Sequence, residues 1–507
     1  MNPLRKIKSV RELGEEAEKL RNEGKRVVHC HGVFDLVHVG HMRHFQEARR
    51  MGDVLVVTLT PDVHVNKGPD RPVFKQDLRA EALAMLESVD YVGINEWPTA
   101  EETLRIIRPH FYVKGPDYRL PSKDRSGNIS REQLVADEVG AQLVVTRDIT
   151  FSSSNLLNRH FNTRTKEVAD FLQDFSRRVD PDQVLEVLDR VRSLKVLVVG
   201  ETIIDDYHYC ETMGKAGKEP ILVARYKSSE QFAGGILAVA NHLASFCDHP
   251  SMLTFLGDRE AQEEFIRQKL NPSVKAHYLR LKDAPTLVKR RFIETYPFQK
   301  LFEVYVMGDG DVNAGEQAEL CRELERLLPE FDAVIVTDYG HGMIGPEAVE
   351  LLCSKAKFLA INTQVNAHNH GFNTISKYRR ADYACVSEGE VRLEVRSRHL
   401  DVRDIVLQIS RRLSCDRITI TQGRQGSLCF DGTHFHQIPA LTGHFVDRVG
   451  AGDAVLVVTS LCVAAGVPME TVGLIANAVG AQAVGVMGNR SAIDRMALIR
   501  HLEFLLK

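Results

Sequence analysis

Three things are scarce in this 507-residue chain, and each absence closes off a class of protein. No apolar run approaches the length needed to span a bilayer, which leaves no segment to read as a transmembrane helix. The stretch from Met1 to Lys25 is charged and lacks the apolar core of a secretion signal, so a cytoplasmic protein is expected. The nine cysteines lie at positions 30, 210, 247, 321, 353, 385, 415, 429 and 462. Their number is odd and none forms a Cys-x-x-Cys pair, which argues against a disulfide framework or a zinc site and for reduced, mostly buried thiols. Excess charge is also scarce: the formal net charge is −3, giving no reason to expect nucleic acid or an anionic membrane as partner. Internal repeats and low-complexity tracts are missing too. What remains, 44% hydrophobic and 26% charged residues, is ordinary for a soluble globular protein, and the length predicts two or three domains.

Against that plain background, two histidines three residues apart stand out. His38-Val39-Gly40-His41 follows the apolar run that begins at Val27-Val28 and ends near Gly32. The run reads as a buried first strand of an α/β sheet, and the second histidine falls at the opening of a helix. Backbone N–H groups at a helix start attract anions. Two imidazoles there can each donate to a phosphate oxygen and stabilise charge as pyrophosphate leaves an attacked α-phosphate. Further strand runs at Val54–Leu59, Asp90–Ile94 and Phe111–Lys114 predict a parallel doubly wound sheet, whose ligands bind at the carboxyl ends of the strands. From about Asn155 to Leu194 the pattern is polar and helical, a connector. A second alternation starts at Lys195–Gly200 and continues to the C-terminus, enough for one large α/β domain.

Residues 27 to 155 resemble the nucleotidylyltransferase family that activates glycerol phosphate, choline phosphate and heptose phosphate. The resemblance rests on Gly32-Val33-Phe34-Asp35, His-x-Gly-His, Arg49-Arg50-Met51-Gly52-Asp53, Lys67, Arg71-Pro72-Val73, Arg79, Val113 to Tyr118, and Ser152-Ser153-Ser154-Asn155. It implies that His38, His41 and Lys67 carry the chemistry. It also implies that Gly32, Phe34, Asp35, Gly40, Arg79, Lys114, Asp117 and the three serines, Ser152, Ser153 and Ser154, bind the nucleotide. Lys67 would serve as a point cation, Arg79 as a bidentate phosphate holder, and the serines as the donor-rich start of a helix. Taken singly, Lys67 reads as a solvated loop lysine, Arg79 as a surface helix arginine and the serines as a helix cap; their joint order raises them. The Lys114-Gly115-Pro116-Asp117-Tyr118 segment and the Ser-Ser-Ser-Asn run favour ATP, while Arg147 resembles the CTP-using branch.

From about Lys195 onward the chain resembles the ribokinase-like (PfkB) sugar kinases. The residues concerned are Asp447-Arg448-Val449-Gly450-Ala451-Gly452-Asp453 and, at the family's spacing, Thr421-Gln422-Gly423-Arg424-Gln425-Gly426. Small residues at Gly450, Ala451 and Gly452 let backbone N–H groups converge on an anion, and Asp453 is placed to take a proton from a sugar hydroxyl. By the resemblance Thr421, Gly423, Gly426 and Glu390 lie on the ATP side. Asp205, Gly234, Gly235, Lys289, Arg291 and Asp338 face the sugar, the two cations meeting a phosphate it already carries. Four positions depart from the family pattern: Ala238 and Ser387 where it has asparagine, Asn362 where the heptose kinases have aspartate, and Glu201, which replaces an aspartate.

Both halves together resemble the bifunctional heptose kinase and adenylyltransferase family, with the order of the two domains exchanged. The expected organisation is a Rossmann-like nucleotidylyltransferase domain at 1–158, a helical connector at 159–194 and a ribokinase-like α/β domain with a small β lid at 195–507. The expected partners are a sugar phosphate and a nucleoside triphosphate, with ATP (CTP possible in the transferase) and Mg²⁺ as cofactors. No metal site is fixed by side chains, and neither nucleic acid nor membrane is a partner. The product would be an ADP-heptose-like sugar. A homodimer is implied through a lid near Glu219 to Lys227. The alternative is a CTP-using transferase whose kinase-like domain is inactive and serves as a sugar-binding or dimerisation module.

Overall fold

The computed structural model describes residues 3–65, 68, 71–115, 128–146, 165–308, 312–443 and 445–506. Its contacts divide the chain into two units, Met1–Lys166 with Glu503–Lys507, and Glu167–Leu502.

In the first unit, β-branched and apolar runs form β1 (Val27–Gly32), β2 (Val54–Leu59), β3 (Tyr91–Ile94), β4 (Phe111–Lys114) and β5 (Gln142–Val145). Every residue of β2 is buried, as expected of a strand covered on both faces. The strands pair in parallel in the order β3-β2-β1-β4-β5. The chain winds one way from β1 to β3 and the other way through β4 and β5, so the carboxyl end of β1 lies where the winding reverses. That end feeds Phe34, Asp35 and the helix Val39–Arg49.

The two amphipathic segments expected in the connector are the helices Lys166–Arg178 and Pro181–Arg190, the second capped by Asp180 with proline at its start.

The second unit holds two sheets. Nine strands run in the order β10-β9-β6-β13-β14-β15-β16-β17-β18. They are β6 (Lys195–Gly200), β9 (His249–Arg259), β10 (Lys275–Pro285), β13 (Ala333–Asp338), β14 (Leu359–Thr363), β15 (Tyr383–Ser387), β16 (Ile418–Thr421), β17 (Ser427–Phe430) and β18 (Phe435–Ile438). All pairings are parallel except those of β17 with β16 and β18. A separate sheet, β12-β11-β7-β8, is built from β7 (Thr202–Lys215), β8 (Leu222–Gly235), β11 (Val288–Thr295) and β12 (Phe298–Val306). The expected lid segment is the outer half of β8, in a sheet much larger than the sequence suggested. One helix, Ala451–Ala464, is apolar on all sides, with Ala454 to Val463 buried without interruption. A helix buried all round is held by packing along its whole length, which fixes where its first turn points.

Candidate active sites

In the first unit, Phe34 adopts a left-handed backbone (φ 49°) and folds back over Gly32, where a Cβ would lie 2.9 Å from the phenyl ring. This close approach is what the glycine permits. The ring meets His41 edge-on, 5.3 Å between centroids, and His41 stacks on His38 at 4.0 Å. His38 caps the helix Val39–Arg49, its Nδ1 accepting from the Gly40 N–H at 3.1 Å. Burial lowers the His38 pKa, so the ring is neutral at pH 7 and its proton sits on Nε2. Among the described residues that buried Nε2 has no hydrogen-bond partner. The structure therefore brings His38 and His41 together beside a helix start and leaves His38 with a donor to offer.

Along β1 and β2 runs a polar chain that sequence reasoning missed. His29 Nε2 lies 2.8 Å from Thr58 Oγ1, His31 Nδ1 is 2.9 Å from the same hydroxyl, and His31 Nε2 reaches Thr60 Oγ1 at 3.3 Å. Burial holds these imidazoles neutral, pushing His31 to about 3.

Two expectations for this site are corrected. Arg79 is neither a surface arginine nor a phosphate holder. It is buried, and its guanidinium donates to the carbonyls of Phe74, Val33 and Thr60 and to Asp62 Oδ1. It ties three loops together. Lys114 is buried in an ion pair with Glu132 at 2.7 Å, and Tyr112 donates to the same carboxylate at 2.9 Å. Its charge is spent inside the fold. Asp35 is buried as well; its Oδ1 accepts from the Phe74 N–H, and its Oδ2 lies 2.8 Å from Arg71 Nη2, near enough for charge pairing but not aligned for a hydrogen bond. Arg71, quoted in the sequence only as part of a motif, keeps Nε and Nη1 buried with no acceptor among the described residues. Lys67, Asp117, Arg147, Ser152, Ser153 and Ser154 lie outside the described residues.

In the second unit the expected residues gather around two adjoining cavities. One, of ≈ 440 Å³, is lined by Thr421, Gly423, Gly426, Ala451 and Gly452. The other, of ≈ 400 Å³, is lined by Asp205, Gly235, Lys289, Arg291, Glu390 and Asp453, and shares Thr421, Arg448 and Gly452 with the first. Gly450 begins the helix Ala451–Ala464 in a left-handed conformation (φ 80°), and a Cβ there would collide with the Asn489 side chain. The first-turn N–H groups of a helix lack acceptors within it, and Gly450, Ala451 and Gly452 at this helix start line the two cavities. Asp447, which sequence reasoning left without a role, clamps this turn. It accepts from the Arg448 N–H at 2.7 Å and from Tyr207 Oη at 2.8 Å, and pairs with Lys300 at 2.8 Å. Asp453 accepts from Tyr339 Oη at 2.9 Å. Burial raises its pKa to about 7 against the lowering effect of that bond.

The sugar-facing assignments divide. Lys289 lies on β11, between β12 and β7, and is buried over the Tyr305 ring with its pKa lowered by burial. Arg291 lines the cavity but is ion-paired with Asp205 and, at 2.6 Å, with Glu303. Gly234 packs its backbone against the Asp205 carboxylate, where a Cβ would collide. Asp338 is corrected: it is fully buried and held by Tyr378 Oη at 2.8 Å, by Asn373 Nδ2 at 3.1 Å and by Lys377, so its neighbour Tyr339 lines the cavity instead. Glu390 caps its own helix through the Ser387 N–H at 2.8 Å. Asn362 donates to the Cys385 carbonyl at 2.7 Å and lines the Asp453 cavity, whereas Ala238 lines a different one. Among the described residues no group of three or more His, Cys, Asp or Glu is arranged to hold a metal. No helix among them is long and apolar enough to cross a membrane.

Comparison with known proteins adds to this geometry. The pfkB family of carbohydrate kinases matches residues 193–496, and the cytidylyltransferase-like family matches residues 29–159. The transferase-like part therefore precedes the kinase-like part. The bifunctional protein HldE of Aliarcobacter butzleri is 47% identical over 135 residues, 26% of this chain and 27% of that protein. Its counterpart from Pelobacter propionicus is 46% identical over 146 residues, 28% of each. The chain thus matches about a quarter of the length of these curated relatives. Among solved structures, phosphofructokinase-2 from Escherichia coli in complex with potassium aligns with a TM-score of 0.50 and 16% identity, covering 62% of this chain and all of that one. That likeness concerns the fold.

Proposed function

Because the chain belongs to the pfkB family of carbohydrate kinases, we propose that residues 195–507 phosphorylate a sugar phosphate at its anomeric hydroxyl. Residues 1–158, joined through the connector at 159–194, then cap the new phosphate with a nucleotidyl group. The observation that carries this reading is Asp453 at the first turn of a buried helix, facing a cavity shared with Asp205, Gly235 and Lys289. In the first step the sugar oxygen bonds to the γ-phosphorus, the bridging β–γ bond breaks, ADP leaves and Asp453 takes the hydroxyl proton. In the second, an oxygen of the sugar 1-phosphate bonds to the α-phosphorus of a second triphosphate and pyrophosphate leaves. No protein nucleophile is needed, and His38 and His41 stabilise the developing charge. ATP is the favoured nucleotide at both sites, with an ADP-heptose-like product. Mg²⁺ fits as an ion carried on the phosphates, since the kinase cavity offers Glu390 but, among the described residues, no cage of ligands.

On this reading the chain is an order-exchanged relative of the bifunctional heptose enzymes, working in the cytoplasm. The four-stranded sheet, which exposes Leu222, Tyr226, Phe298, Phe302 and Val304, supports a homodimer. One observation favours a second reading, a kinase-like domain that binds sugar without turning it over: Asp205 and Arg291, both expected to touch sugar, are paired with each other. Mass spectrometry of products from five-, six- and seven-carbon sugar phosphates with ATP and with CTP separates the two. Phosphorylated and nucleotide-capped products carry the first reading. Sugar binding with no ATP turnover carries the second, and capping with CTP alone reassigns the base.

A further inference from the structure

Tyr339 lies in the segment Asp338-Tyr339-Gly340-His341-Gly342, which resembles the Asp-Tyr-Gly-Lys-Gly run of the heptose kinases. Its hydroxyl, given no role by that resemblance, is the only side-chain partner of Asp453 among the described hydrogen bonds. Tyr339 is itself fixed from two sides. Its backbone N–H donates to Glu201 Oε2 at 3.0 Å, and the next but one N–H, that of His341, donates to Glu201 Oε1 at 3.0 Å. Between them Gly340 turns in the left-handed region (φ 69°), so one buried carboxylate grips both sides of the turn that follows β13. Its carbonyl is held too, by Asn366 Nδ2 at 2.6 Å. The ring is buried at 2% exposure and packs with Ile203 and Leu287.

From this geometry we infer that Tyr339 is a positioning residue for the sugar-phosphorylation step: its hydroxyl occupies Asp453 Oδ1 and leaves Oδ2 as the oxygen that receives the sugar proton. The inference rests on the proposed kinase reading. A hydroxyl donating to a carboxylate stabilises the ionised form, so Tyr339 keeps the base usable nearer neutral pH than burial alone would allow. Asp205 on β7, Lys289 on β11 and Glu390 on the helix Glu388–Glu394 act on the Asp453 carboxyl. Arg291 on β11 and Arg448 before the Gly450 turn line the same cavity. Glu201, pushed up to about 7 by burial and by Asp338, faces Tyr339. Asp205 and Glu390 work against its ionisation and Lys289 favours it. Among the described residues none of these groups has a hydrogen bond to Asp453, and the Tyr339 hydroxyl distinguishes its two oxygens.

The test compares Tyr339→Phe with the unaltered chain. The phenylalanine keeps the buried ring and deletes the hydroxyl. Expected are a sugar KM within about twofold, a kcat about tenfold lower, and an acid limb of the kcat profile moved upward by about one pH unit. A lower kcat with an unmoved acid limb overturns the inference, because a purely structural role would lower activity at every pH alike. A second measurement needs no turnover: titration of the Asp453 carboxyl by carbon-13 NMR in the labelled full chain. The same upward move is expected in Tyr339→Phe, and an unchanged titration overturns the inference. If the unaltered chain turns over no sugar, the kinase reading fails while the NMR titration still decides the Tyr339–Asp453 linkage. Glu201→Gln serves as the companion variant. It keeps one acceptor oxygen for the turn, and a partial move of the acid limb in the same direction is expected; a move in the opposite direction counts against the relay.

Discussion

At the end of β1 the side chain nearest the helix start is a neutral imidazole with a donor to give; at the Gly450 turn it is a carboxylate with an oxygen to receive. Both lie beside helix N-termini, where the backbone favours anions. On the proposed reading the difference follows from the nucleophile. A phosphate oxygen arrives already ionised and needs only charge stabilisation, so donors suffice. A sugar hydroxyl arrives protonated and needs an acceptor, and the fold supplies one whose ionisation is held back to about pH 7 by burial. The two sites are thus told apart by what each does to a proton.

That contrast can be broken most sharply at Asp453. Asp453→Asn is expected to lower sugar phosphorylation by about 10²–10⁴-fold and leave pyrophosphate release unchanged, in parallel assays of the two half-reactions. Equal loss in both would erase the distinction. Replacing His38 or His41 by alanine should cut pyrophosphate release by about 10²–10³-fold with phosphorylation intact; His38→Asn, which keeps a helix cap, separates lost stability from lost donation.

The pH profiles sharpen the comparison further. Asp453 accepts a proton only when ionised, so phosphorylation should climb as pH rises through about 7 and then level off. His38 is lowered below its ordinary range, so it stays neutral above pH 6.5 and pyrophosphate release should show no step from it there. A shared midpoint near 7 in both assays would contradict the assignment. The smallest effect concerns stability. A carboxyl whose folded pKa is raised contributes fully below its unfolded value, and that contribution is lost as pH climbs toward 7. Asp453→Asn removes the loss, so its melting temperature should exceed that of the unaltered chain at pH 8 by more than at pH 5. The expected gain is on the order of 2 kcal/mol, less than full conversion of the shift because the cavity admits solvent.

Much of the architecture was legible because strands buried on both faces write themselves as unbroken apolar runs: β2, β4 and β6 have the bounds their sequence implies. The long ribbon of β7 and β8 was not, since its outer half is exposed and mixed in character. The placing of His38, His41 and Asp453 was also legible, because strand, turn and helix start are adjacent in sequence. Arg79, Lys114 and Asp338 were misread for the opposite reason. Each has the right chemistry for a ligand contact, but its partner comes from elsewhere in the chain: Thr60 and Asp62, Glu132, and Tyr378 respectively. A sequence displays charges without showing which are already matched. Tyr339 was overlooked within a segment singled out for its neighbour; its one available signal was that strand residues alternate sides, so a buried Asp338 turns the next residue the other way.

Glu201 is the single residue between β6 and β7, and so one of the links between the nine-stranded and the four-stranded sheet. Its carbonyl accepts from the Ile236 N–H at the foot of β8 while its carboxylate holds the Tyr339 turn. One residue thus ties the foot of the smaller sheet to the turn that carries Tyr339. On the proposed kinase reading, a shift of that sheet at Glu201 would be felt at the support of Asp453, so the two would not move independently.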